Sequence, residues 1–305
     1  MRVLVTGASG FVGRALTQSL SRAGFHVRAA ARDRSKIPPA EFVEAVAMPD
    51  LSRPVDWRPL LADVDAVVHL AGRAHVSAKV PDAVYDRINR VATKELALQS
   101  SLMPNIRRLV FVSSIRAQTG PSAEHVLTEE NEPQPVDAYG RSKLAAEAFV
   151  RGYGVPYTIL RPVVIYGRGA RANIAQLVRL ARSPLPLPFG AFRKKRSLLA
   201  LDNMLSAIRF VLERPATTGE TYIVADPLPL SLAEMITVMR EARSRSPNLV
   251  SIPESWVGAS MRGIGKAGAW ERVGNSLMVD ITKLRDAGWA PATDTRNALA
   301  RLARK

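Results

Sequence analysis

The first half of the chain alternates short, continuously apolar runs with longer stretches of helical period. Arg2–Thr6 reads as a buried strand, and Gly13–Ala23 as a helix whose Leu16 and Leu20 lie four apart on one face. His26–Ala31, Ala66–Leu70, Arg108–Ser113 and Val155–Arg161 read as further strands, with a helix over Val84–Ser100 among them. Strands that are apolar throughout are buried on both faces, and helices between them predict a parallel sheet covered on both sides. The expected class is α/β, a doubly wound parallel sheet.

Past Tyr166-Gly167 the pattern changes. A helical stretch at Asn173–Ala181 runs into Pro184-Leu185-Pro186-Leu187-Pro188, which can be neither helix nor central strand. A helix at Asp202–Glu213 and a strand at Thr221–Ala225 read as a return to the main sheet. Ser231–Arg243 reads as helical, and Gly288-Trp289 lies near the end of a smaller C-terminal α/β lobe. The expected division gives residues 1–168 and 199–226 to the sheet domain, and 169–198 and 227–305 to the lobe.

Composition removes several classes of function. With no cysteine there are no disulfides, thiolate metal sites or cysteine nucleophiles, and no metal site is expected. No apolar run reaches the roughly 18 residues of a membrane span. The N-terminus has no signal-peptide layout, so a cytoplasmic location is the simplest expectation. The formal charge of +16 raises the question of nucleic acid. Lys and Arg are scattered, however, and the only dense cluster is Arg193-Lys194-Lys195-Arg196. A basic surface with a few arginines aimed at a small anion is the preferred reading, with no nucleic-acid partner.

Gly7-Ala8-Ser9-Gly10-Phe11-Val12-Gly13 follows the first strand and opens the first helix. Glycines there allow a tight turn, close backbone approach to a pyrophosphate and close helix–strand packing. The helix N-terminus offers unpaired N–H groups and a positive dipole end to phosphates. A dinucleotide is therefore expected. Its 2′ position is read at the end of the second strand, where Ala31-Arg32 replaces the acid of NAD-preferring enzymes. A guanidinium suits a 2′-phosphate, so the cofactor is NAD or NADP with NADP(H) slightly favoured. The alternative is a solvated Arg32, with Asp33 taking the ribose.

Tyr139-Gly140-Arg141-Ser142-Lys143 places a phenol and an ammonium at i and i+4 on one helix face. A free phenol has a pKa of about 10, and a neighbouring cation is expected to bring it toward a useful range. About 25 residues upstream, Val110-Phe111-Val112-Ser113-Ser114 ends a predicted strand with a hydroxyl. Taken alone, a Ser-Ser at a strand end is a turn or cap.

Together, the glycine loop with its G-x-x-G-x-x-G spacing, the serine and the Y-x-x-x-K resemble the extended short-chain dehydrogenase/reductases. Leu160-Arg161-Pro162-Val163-Val164-Ile165-Tyr166-Gly167 looks like the L-R-x-x-x-V-Y-G segment of nucleotide-sugar epimerases, dehydratases and reductases in the NAD-dependent epimerase/dehydratase family. Arg196-Ser197-Leu198-Leu199-Ala200-Leu201-Asp202-Asn203 resembles their R-x-F-x-x-V-x-D segment. The resemblance implies a Rossmann fold and a catalytic Ser114, Tyr139 and Lys143. It implies cofactor contacts at Gly7, Ser9, Gly10, Phe11, Val12, Gly13, Arg32, Asp50, Leu51, Leu70, Ala71, Gly72, Asn89, Tyr139, Lys143 and Pro162. It also implies a UDP or dTDP sugar held by Ser114, Asn173, Arg196 and Arg272, and a homodimer as the usual assembly. Two departures, Val164 in place of Asn and Ala117-Gln118-Thr119-Gly120 in place of V-Y-G, weaken a carry-over of UDP-galactose 4-epimerase specificity.

The expected activity is hydride transfer at a sugar carbon, C4 by the resemblance, with Tyr139 as acid/base. Epimerase and 4-keto-sugar reductase both remain open. A small non-nucleotide ketone or alcohol is an alternative substrate, and a non-enzymatic NAD(P)-sensing regulator is a third reading.

Overall fold

The computed structural model describes residues 1–74, 80–170, 173–263 and 274–304. Seven strands form one parallel sheet in the order β10-β6-β5-β4-β1-β2-β3. They are β1 (Arg2–Thr6), β2 (His26–Ala31), β3 (Val43–Ala47), β4 (Ala66–His69), β5 (Arg108–Val112), β6 (Tyr157–Pro162) and β10 (Glu220–Val224). The order reverses between β1 and β4, so the crevice for a ligand opens at the C-terminal ends of those strands. β1, β4 and β5 are buried almost throughout, as their unbroken Val, Leu and Ala runs require. β3 is different. It is an edge strand with no fully buried residue, and its Val-Glu-Ala-Val-Ala run lacks the apolar continuity that marks the others.

Helices α1 (Phe11–Arg22), α2 (Arg58–Leu61), α3 (Asp82–Tyr85), α4 (Ala92–Ser101) and α5 (Ala138–Gly152) connect the strands. α1 buries Leu16 and Leu20 against the sheet, in the stripe that the sequence predicts. α3 and α4 are joined by a π-helical stretch, Asp86–Val91, where a plain helix is expected. The wider turn brings buried Asn89 inward, and π-segments of this kind gather at functional sites.

After β6 come β7 (Val164–Tyr166), α6 (Asn173–Arg182), β8 (Lys195–Arg196), β9 (Leu198–Ala200) and α7 (Leu201–Glu213). After β10 come β11 (Leu230–Ser231), α8 (Leu232–Glu241), α9 (Glu254–Gly263), α10 (Thr282–Asp286) and α11 (Thr295–Arg304). Two apolar clusters cover the two faces of the large sheet, and a third packs α6, α8 and α11 together. The joint between them is polar. Tyr166 donates to Asp226, whose other oxygen accepts from the Ala200 amide and from Asn203. Asn203 in turn exchanges two hydrogen bonds with the backbone of Thr293. Leu201-Asp202-Asn203, part of the segment that carries the resemblance, therefore serves here as a joint.

The proline-rich stretch is held by backbone bonds of Leu187 with Asn248 and Val250 and by one side chain. Fully buried Arg240 on α8 donates to the carbonyls of Ser183, Leu185, Pro247 and Asn248. The prolines on either side of Leu187 have no amide to donate, so pairing cannot extend beyond that one bridge and the neighbouring carbonyls need a side-chain donor. Arg240→Ala is expected to leave the Ser183, Leu185 and Pro247 carbonyls without their donor and cost about 3 kcal/mol or more. Denaturant unfolding measures the loss, and faster amide exchange at 183–190 locates it.

Candidate active site

The glycine turn, Ser114 and the residues that follow β2 and β4 lie at the C-terminal edge of the sheet. Gly7 adopts φ +72°, and a Cβ there would fall 2.9 Å from the Ala71 amide nitrogen. A Cβ on Gly13 would fall 2.2 Å from the Gly7 carbonyl oxygen. Both positions exclude any side chain, and the turn closes tightly over the first turn of α1. Gly10 caps α1 without a side chain, and the first helical turn carries no acid. This leaves a helix N-terminus whose amides and dipole suit a pyrophosphate. Ser9, Phe11 and Val12 belong to the same turn. The cradle fits a dinucleotide.

The adenosine side is equally well placed. Arg32 is exposed just past β2. Asp33 accepts from both the backbone and the hydroxyl of Ser35 and pairs with Lys36, so its carboxylate is engaged locally. Hydrogen bonds from Ser52, with the charges of Arg53 and Arg32, hold Asp50 below the ordinary carboxylate range. Arg32 and Asp50 follow the ends of β2 and β3, and Leu51 is buried. Leu70-Ala71-Gly72 follows β4, and the Ala71 amide donates to Thr6. Asn89 accepts from the Arg73 amide and donates to the Arg73 carbonyl and to Ser142. It therefore ties the β4 loop to α5 rather than standing free. Pro162 ends β6 in register with Val224.

The two serines after β5 take different partners. Ser113 donates to Glu147 at 2.6 Å, inside the core. Ser114 accepts from the Arg116 amide at 3.1 Å, and its hydroxyl is close enough to Tyr139 to favour the phenolate. Tyr139 and Lys143 lie in the first turns of α5, whose N-cap Asp137 accepts from the Gly140 amide. Tyr139 also meets Tyr85 edge-on, with ring centroids 6.3 Å apart.

Lys143 departs from the simple expectation. Its ammonium donates to the Val112 carbonyl at 2.7 Å and lies 4.2 Å from the centre of the Phe111 ring. Burial pushes its pKa down to about 7, against the pull of Glu147. Tyr139 goes up rather than down, because burial outweighs the lowering effects of Ser114 and Arg116. The sequence expects the ammonium to lower the phenol, but here that ammonium is engaged with a backbone carbonyl.

Substrate residues stand unequally. Arg196 donates to the carbonyls of Pro121 and Asn275, and burial together with nearby Arg116 lowers its pKa to about 10. Asn173 is the first residue of α6. Arg272 lies outside the described residues. Among the described residues no cluster of three His, Asp or Glu could hold a metal ion, and no helix is long and apolar enough to cross a membrane.

Several residues beyond the predicted site residues pack around them. His69 is fully buried between Thr6 and Thr93, and burial and Lys143 push its pKa down to about 3, so it is neutral at physiological pH. Glu147 pairs with Arg161 through two bonds, and Arg161 also donates to Gln118. Glu147 was within reach of the sequence, since it lies four residues beyond Lys143 on the same helix face. His69 and Gln118 carry no such periodic signal.

Burial of Lys143 gives stability a pH dependence. In the folded chain it releases its proton near pH 7, whereas an unfolded lysine holds it to about 10.4. Between those values the unfolded chain binds more protons, so stability rises with pH across that window. Lys143→Met carries no charge and lacks that slope. Its stability relative to the parent is expected to be highest near about pH 6 and to decline toward about pH 10. Denaturant unfolding without cofactor checks this, and a pH-independent difference would count against the buried ammonium.

Comparison with known proteins agrees with this arrangement. A family model described as the NAD dependent epimerase/dehydratase family matches residues 3–225. UDP-glucose 4-epimerase of Vibrio cholerae is 30% identical over 300 residues, covering 95% of this chain and 90% of its own. 2'-Dehydrokanamycin reductase of Streptomyces kanamyceticus is 29% identical over 296 residues, covering 92% and 78%. The structure of UDP-glucuronic acid 4-epimerase from Bacillus cereus in complex with NAD superposes with a TM-score of 0.76. That match covers 100% of this chain and 96% of the other at 20% identity, and shows a shared fold. A glycine-lined cradle, a Ser–Tyr–Lys set at the C-terminal end of β5 in a parallel sheet, and these likenesses place the chain in the NAD-dependent epimerase/dehydratase family.

Proposed function

We propose that this protein is an NAD(P)-dependent oxidoreductase or epimerase of a UDP- or dTDP-linked sugar, with hydride transfer at sugar C4. The observation that carries the reading is the meeting of Tyr139 and Ser114 hydroxyls one helical turn from Lys143, beside the glycine cradle. In this reading the sugar oxygen sits between the two hydroxyls. Ser114 orients it, and Tyr139 holds or moves its proton. The dinucleotide, when bound, accepts or donates the hydride. Residues 7–13 would hold its pyrophosphate, and Arg32 with Asp50 and Leu51 would hold its adenosine end.

Two features favour the reductive direction. A phenol whose pKa is raised keeps its proton at neutral pH and is ready to donate it to a keto oxygen. An exposed Arg32, with Asp33 occupied by Ser35 and Lys36, suits the 2′-phosphate of NADPH. Base catalysis in the oxidative direction needs a cation near the phenol. Arg116 already acts in that sense, and Lys143 lies on the same helix face. The V. cholerae relative is named an epimerase and the S. kanamyceticus relative a reductase, so the family accommodates both outcomes.

A second reading has its own observation. Both terminal nitrogens of Arg196 already donate to loop carbonyls, as in a purely structural guanidinium. The substrate would then be a small ketone or alcohol without a diphosphate.

A panel of UDP- and dTDP-sugars with NADH and NADPH separates these possibilities. Net loss of reduced-nicotinamide absorbance identifies a reductase, and sugar interconversion without net loss identifies an epimerase. Tyr139→Phe is expected to lower kcat by roughly 10²–10⁴-fold with cofactor affinity nearly intact, and unchanged turnover would reject the proton-transfer role. Arg196→Gln is expected to raise KM for nucleotide sugars, whereas an unchanged KM would favour the small-ketone reading. Arg32→Ala should weaken NADPH binding by about ten-fold while sparing NADH, as fluorescence titration would show.

A further inference from the structure

Tyr139, Lys143 and Glu147 follow one another at four-residue steps along α5, forming a single stripe against the end of β5. Each meets one of three consecutive residues there. Tyr139 meets Ser114, the Lys143 ammonium donates to the Val112 carbonyl, and Glu147 accepts from Ser113. The Glu147 side chain is fully buried and accepts four hydrogen bonds. They come from Ser113 at 2.6 Å, Arg161 Nε at 3.0 Å, Arg161 Nη2 at 2.7 Å and Arg151 at 2.9 Å. Through Arg161 Nη1 the same group reaches Gln118, which anchors the turn after Ser114 to the carbonyl of Asn131.

We propose that Glu147 is a positioning residue for the redox centre, its carboxylate fixing the strand end that carries Ser114 and sustaining the charge on Lys143. The inference rests on the reading of Ser114, Tyr139 and Lys143 as that centre. A helix–strand ion pair needs only Glu147 and Arg161. The bond to Ser113 and the alignment with Lys143 go beyond it. Around the Lys143 ammonium stand the Phe111 ring and Val112 carbonyl of β5, neutral His69 of β4, and Glu147 of its own helix. Behind Glu147 lie Arg161 of β6 and Arg151 of α5. Glu147 supplies the negative charge that opposes the burial of Lys143. Removing it leaves the two guanidinium charges uncompensated and makes an ammonium harder to hold.

The test uses Glu147→Gln, Glu147→Asp and Ser113→Ala in the full-length chain. With nine lysines, the Lys143 Nζ signal can be followed by NMR in cofactor-free protein and assigned by its absence in Lys143→Arg. In Glu147→Gln the Lys143 titration is expected to move down by about one pH unit or more, and the alkaline limb of kcat/KM with it. kcat at neutral pH should fall about ten-fold, with cofactor affinity nearly unchanged. Glu147→Asp keeps the charge and should return the titration toward that of the parent. Ser113→Ala keeps both charges and should leave the titration in place, yet lower kcat several-fold at unchanged KM. A folded Glu147→Gln with an unmoved Lys143 titration, or Ser113→Ala with full kcat, would overturn the proposal. If Glu147→Gln does not fold, Ser113→Ala decides alone. Should the parent turn over none of the sugars, the proposed function fails, while the NMR titration still decides the role of Glu147.

Discussion

The buried ion pair between Glu147 and Arg161 is the constraint on which the catalytic half of this protein depends. Neither charge can return to water once α5 lies on the sheet, so each must find every partner that its geometry demands. Removing one member of such a pair generally costs about 3–5 kcal/mol, because the other is left buried and unpaired. Satisfying both fixes three elements at once. Arg161 belongs to β6, Glu147 to α5, and Ser113 to the end of β5, so helix rotation and strand register are set together. Tyr139 and Lys143 inherit their positions from that arrangement.

Arginine plays an unusual part in the rest of the architecture. The formal charge of +16 suggests a polyanionic partner, yet many of the guanidiniums are spent on backbone carbonyls. Arg240 holds four of them at the proline-rich stretch, and Arg196 bridges the loops at Pro121 and Asn275. Arg28 reaches the carbonyls of Leu60 and Ala62, and Arg243 that of Ala303. A planar group with five donors can close several loop ends where regular pairing is impossible. A basic composition here reflects a method of tying loops together as much as any affinity for anions.

The site combines a rigid cradle with titratable groups under tension. Gly7 and Gly13 admit no side chain, so the dinucleotide turn has one conformation available. Tyr139, Lys143 and His69 are all driven toward their neutral forms by burial, and the nearby charges only partly compensate. Such a centre responds strongly to whatever charge a ligand brings, because little water remains to screen it.

The sequence by itself determined the parallel sheet, since unbroken apolar runs such as Arg108–Val112 are stable only when covered on both faces. It determined the glycine turn, because spacing in glycine is a direct record of backbone geometry. It also marked the stripe of Tyr139 and Lys143, because four-residue spacing is local to a helix. Edge strand β3, the π-helical turn at Asn89 and the clasp of Asp226 with Tyr166 and Asn203 left no comparable trace. Only the tertiary structure decided that Ser113 turns to Glu147 and where the Lys143 ammonium points. Both outcomes depend on partners contributed by α5, β5 and β6 from distant parts of the chain. They rest also on burial, which no local pattern records.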